Sequence, residues 1–77
     1  MLLTRLEKNQ EAKIVKINAD KILRDRFNSF GIIVGESVIL KEHSIAKQTI
    51  GIEVGSTLIV LRSSEAEKIE ITTEEDR

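Results

Sequence analysis

Cysteine is absent from these 77 residues, which removes disulfide-stapled folds and thiolate metal modules. Tryptophan and tyrosine are absent too, and phenylalanine occurs only twice. Base stacking and an aromatic groove for proline-rich peptides therefore lack their side chains. A single histidine, His43, is the only ordinary general base available to a nucleophile–base–orienter set. Gly31, Gly35, Gly51 and Gly55 form no phosphate-cradling loop, since none precedes Lys-Ser or Lys-Thr. No enzyme and no cofactor are expected. No apolar run exceeds four residues, far short of the roughly 20 that a bilayer span requires. The start, Met1 to Lys8, also lacks the apolar core of a signal peptide. A cytoplasmic protein without direct membrane insertion is the expectation.

A strong charge of either sign is missing as well. Through Arg62 there are ten basic and seven acidic side chains, a balance of +3. From Ser63 onward six acids face two bases, a balance of −4. A mildly basic body with an acidic end is not the footprint of a nucleic-acid binder, so no nucleic-acid partner is expected. The length suits one domain. A domain this small buries only about 60% of its unfolded surface.

What is present is organised around residues 20–36. Ile22, Leu23, Phe27 and Phe30 recur near the spacing of one helical face, which predicts a helix whose apolar side closes the core. Lys21, Arg24, Asp25 and Asn28 project elsewhere. Asn18 and Asp20 are both able to cap its start, and Gly31 suits the left-handed position past its last turn.

Around the helix the chain reads as strands. Leu2 to Leu6 is a short strand or lead-in, and Asn9 marks a turn. Residues 11–17 form a β-branched strand without clean alternation, and residues 37–42 form another. His43 to Lys47 is a loop. Thr49 to Val54 places Ile50, Ile52 and Val54 on one face, with Gly51 and Glu53 on the other. Gly55-Ser56 signals a tight hairpin of type II′. Thr57 to Arg62 is the most hydrophobic strand and is expected at the centre of the sheet. Ser63 to Glu67 reads as one serine-capped helical turn. Lys68 to Thr72 alternates as a last, edge strand, open to weak pairing with a second copy. The fold class is mainly β, a small barrel with one inserted helix. Residues 1–72 make its single domain and 73–77 a charged, frayed tail.

An ordered set of residues carries a family likeness over nearly the whole chain. It runs through Leu6, Ile14, Ile17, Leu23, Arg26-Phe27, Phe30-Gly31-Ile32, Gly35, Gly55, Leu61-Arg62, Glu65-Ala66 and Ile69. In this the sequence resembles the FeoA family, the small cytosolic partners of the FeoB ferrous iron transporter. The resemblance implies an SH3-like barrel with a helix inserted after the early strands. It also implies an accessory role in ferrous iron uptake, through binding to the cytosolic face of a FeoB-type transporter. The same module closes some iron-dependent transcriptional regulators, so a metal-sensing or regulatory module acting on another protein is the second reading. Three departures stand out. Val34 replaces the family's usual proline, Asn9 its usual glycine, and Glu42-His-Ser-Ile-Ala-Lys47 its glycine- and proline-containing loop.

Candidate site residues follow from chemistry. Hard divalent iron wants histidine and carboxylates converging on one point. His43, Glu42 and Glu53 are the available types, but adjacent strand residues point to opposite faces, so no metal site is expected. Arg26 is expected along the core edge, paired with Glu65, while Lys21 and Arg24 offer solvent-facing contacts for a partner. Ile32, Ile33 and Ile45, with Lys47 in the loop, complete the partner-binding candidates. Two readings of the isoleucines stay open, an exposed apolar patch or burial in the barrel end.

Overall fold

The computed structural model describes residues 1–44, 46 and 48–73. A 3-10 turn at Leu3–Arg5 leads into strand β1 (Glu11–Ile17), helix α1 (Lys21–Ser29) and strands β2 (Ser37–His43), β3 (Thr49–Val54) and β4 (Thr57–Arg62). A four-residue helix α2 (Ser63–Ala66) and strand β5 (Ile69–Thr72) follow. The strands form one antiparallel sheet in the order β4-β3-β2-β1-β5. Register shifts between Ile14 and Lys16 and between Leu40 and Glu42 bend the sheet, as bulges do. Its concave side closes on a single core containing Ile14, Phe27, Ile32, Leu40, Ile52, Leu61 and Ile71. Mainly β with one inserted helix is the architecture the sequence predicts.

Several turns rest on positive φ. Gly31 (φ +83°) ends α1 in the left-handed region, as expected. Asn9 (φ +67°) takes that conformation at the turn expected there, and asparagine is among the few side chains that tolerate it. In the β3–β4 hairpin Gly55 has φ +63° while Ser56 has no positive φ, which matches a II′ rather than a I′ turn.

Three expectations change. The buried face of α1 is narrower than its apolar count, for only Phe27 is fully enclosed and Leu23 packs beside it. Those two are four apart and share a face, whereas Ile22 lies well around the helix from Phe27 and is 83% exposed. Phe30 falls beyond the last turn and is partly exposed, with the Arg26 guanidinium 5.8 Å from its ring centre.

The second change concerns β4, which sits at a sheet edge and not at its centre. Its hairpin fixes it beside β3, and α2 carries the chain away to the opposite end of the sheet. Ile59 and Leu61 point inward, while Leu58 and Val60 are 64% and 62% exposed.

The third change is the cap of α2. The position before its first residue is Arg62, not a serine, and Glu65 reaches back to accept from the Arg62 backbone N–H at 3.1 Å. The same carboxylate accepts from Arg26, the pairing expected from sequence, and so ties α1 to α2. Thr73 is buried; the rest of the tail lies outside the described residues.

Candidate partner-binding cleft

Strand β1 lies between β2 and β5, which pair with different stretches of it. Glu11 to Lys13 pair with β2, but from Lys13 onward the regular partner is β5. On the side that β2 has left, the turn after α1 takes over. Ile14 donates to the Glu36 carbonyl at 2.9 Å, and Gly35 donates to the Ile14 carbonyl at 2.8 Å. Beyond the buried Ile14, Val15 faces outward by ordinary alternation, and the bulge leaves Lys16 exposed as well. A cleft of about 340 Å³ opens there between β1, α1 and the turn, lined by Val15, Lys16, Ile17, Arg24, Asn28, Ile33 and Val34.

Arg24 is held in place. Its Nε donates to the Ala19 carbonyl at 3.0 Å and its Nη2 to the Ile17 carbonyl at 2.9 Å. A guanidinium has five N–H groups, so donors remain for a ligand after those two bonds. No salt bridge to Arg24 occurs among the described residues. Exposed valine and isoleucine side chains beside an oriented cation suit a partner carrying both apolar and acidic groups.

The other sequence candidates divide. Lys21 is solvent-exposed and bound to Asp25 of its own helix at 2.7 Å, a pair of small energetic weight. Ile32 is wholly buried and cannot serve as contact surface, because the extended chain after Gly31 turns it into the core and its neighbour Ile33 outward. Burial in the barrel end is thus correct for Ile32, and the exposed patch belongs to Ile33 with Val15 and Val34. Ile45 and Lys47 lie outside the described residues.

The metal candidates do not converge. His43 Nε2 lies 3.3 Å from the Leu6 carbonyl. Glu42 lies over Gly51, its Cγ 3.2 Å from where a Cβ would stand. Glu53 pairs across from Ile39, two positions along β3 from Gly51, and lines a smaller depression of about 290 Å³ with Glu11 and Glu36. Among the described residues no three His, Asp or Glu side chains are placed to hold a metal ion.

Val15, Lys16, Ile17, Asn28 and Val34 escaped the sequence reading of the site. Val15 puts an apolar side chain on the outward face of β1, and that irregularity in the strand's pattern is the one visible signal of the cleft.

Comparison with known proteins bears directly on this architecture. The FeoA domain family model matches residues 1–73. A protein of Campylobacter jejuni named Fe(2+) transport protein A is 38% identical over 71 residues, 92% of this chain and 96% of that one. The solution structure of iron(II) transport protein A from Clostridium thermocellum superposes with a TM-score of 0.91 at 25% identity, covering 97% of this chain. This chain spans 46% of that longer one. The zinc complex of Stenotrophomonas maltophilia FeoA, described as a prokaryotic SH3 domain protein, superposes with a TM-score of 0.81 at 24% identity. That likeness covers 94% of this chain and 89% of the other, and supports the SH3-like fold. The family match and the curated relative together establish that the chain belongs to the FeoA family.

Proposed function

We propose that this protein is a non-enzymatic accessory of ferrous iron uptake. It acts in the cytoplasm, binds the cytosolic side of a FeoB-type transporter and modulates that transporter's activity or assembly. The observation that carries the reading is the cleft beside Arg24, where an immobilised guanidinium adjoins the exposed side chains of Val15, Ile33 and Val34. Contacts of this kind favour a protein partner over a small polar substrate. Membership of a family whose curated relative is named for Fe(2+) transport supplies the process. The scattered metal candidates make the accessory reading better supported than metal sensing.

An isotope-labelled amide spectrum, titrated with the intact transporter in detergent, tests this. Shifts and broadening should cluster on Val15, Arg24, Ile33 and Val34. A spectrum that the transporter leaves unchanged, or changes confined to β5, would refute it.

A further inference from the structure

The two edges of the sheet are treated differently. At the β5 edge the chain's own start is already in place. Ile71 donates to the Met1 carbonyl at 2.7 Å, its own carbonyl accepts from the Met1 amino group at 3.1 Å, and Leu2 bridges to Glu70. The Glu70–Ile71 part of the edge that the sequence leaves open to a second copy is therefore already occupied.

At the β4 edge no further strand follows among the described residues. In a two-residue hairpin the residues flanking the turn form a hydrogen-bonded pair, and such pairs alternate along the ladder. Val54↔Thr57, Ile52↔Ile59 and Ile50↔Leu61 are then the bonded pairs, so the N–H and C=O groups of Leu58, Val60 and Arg62 point away from β3. The Arg62 N–H does point away, since it is taken by Glu65. Among the described residues no partner meets the outward backbone groups of Leu58 and Val60, and the same two residues expose their side chains on the outer face. No bulge interrupts the β3–β4 register, and no charge falls between Thr57 and Leu61. The usual protections of an edge strand are missing.

We infer that β4 is a self-association edge that pairs antiparallel with β4 of a second copy of this chain. The sequence is self-complementary about Ile59. A two-fold axis there sets Leu58 against Val60 of the second copy, and Val60 against its Leu58. Each of those pairs exchanges two backbone hydrogen bonds, and their side chains merge into one apolar strip on the outer face. Charge agrees with this occupant. Arg62 is exposed at one end of the strip, Glu53 flanks Leu58 at the other, and the two-fold reversal carries each toward its opposite. Parallel pairing would instead bring the two Arg62 residues side by side. The contact rests on one six-residue strand from each copy, so association is weak and concentration-dependent.

Sedimentation velocity of the whole chain at rising concentration, up to about 1 mM where weak contacts are populated, tests this beside Val60→Lys. That side chain points to solvent, so the variant should fold as the wild type does, which a circular dichroism melt checks. The wild-type sedimentation coefficient should climb with concentration while the variant's stays at the monomer value. Slowed exchange of the Leu58 and Val60 amides should accompany the climb. A wild type that remains monomeric overturns the inference, and so does association that Val60→Lys leaves untouched. Protection of those amides that appears only when a transporter is added would also overturn it, by assigning the edge to a partner's strand.

Discussion

Helix α1 is fastened to the sheet chiefly by Phe27, the only fully buried side chain it contributes. Phe27→Ala removes a ring enclosed by a core shared among every strand. Truncations of this kind cost about 3–5 kcal/mol through lost transfer energy and the cavity left behind. At about 0.05–0.15 kcal/mol per residue, a chain of 77 residues has a total of only about 4–12 kcal/mol. The variant should therefore be largely unfolded, or melt at a sharply lower urea concentration. Ile22→Ala makes a similar reduction in apolar volume on the same helix, but at a solvent-facing position, and should stay within about 0.5 kcal/mol of the wild type. Urea titration followed by far-ultraviolet circular dichroism compares the two, tryptophan and tyrosine being absent. A loss below about 1 kcal/mol for Phe27→Ala, or above about 2 kcal/mol for Ile22→Ala, would refute this account of how the helix is held.

Glu65 serves both Arg26 and the Arg62 amide and is only 14% exposed in its side chain. Glu65→Ala should cost about 1–2 kcal/mol and Arg26→Ala only about 0.5 kcal/mol, since its half-exposed side chain leaves the pair screened by water. Thermal melts should show that order, and the reverse order would count against the shared-carboxylate description. Gly31→Ala meets no atom within 4 Å but must hold φ near +83°, so about 1–2 kcal/mol should be lost from backbone strain alone. Chemical denaturation measures that loss. Arg24→Glu breaks two bonds to backbone carbonyls at an exposed site and should cost about 1 kcal/mol. It should also weaken transporter binding in a pull-down far more than Lys21→Glu does.

Local features were the most legible in the sequence. The cap at Asp20, which accepts from the Leu23 amide at 2.9 Å, the glycine stop at Gly31 and the Gly55 hairpin each depend on neighbours in the chain. The Arg26–Glu65 pair was legible for a different reason, since a cation at the edge of a buried face needs a carboxylate. Strand order was not legible. The hydrophobicity of Thr57 to Arg62 is the same whether the strand lies inside or at an edge, and the route taken by α2 decides. The split between Ile32 and Ile33 was equally hidden, because it depends on how the chain leaves Gly31. The cleft itself arises where β2 leaves one side of β1 while β5 continues along the other, an event of tertiary pairing that single-strand patterns do not encode.

The most direct measurement is the affinity of this protein for the intact FeoB-type transporter in detergent, wild type against Ile33→Asp. Ile33 lines the cleft and is exposed beside a buried Ile32, so the substitution places a charge on the contact surface while leaving the core intact. A loss of about tenfold or more, roughly 1.4 kcal/mol, is predicted with an unchanged melting temperature. Equal affinity for the two proteins would contradict the assignment of this cleft as the transporter-binding face.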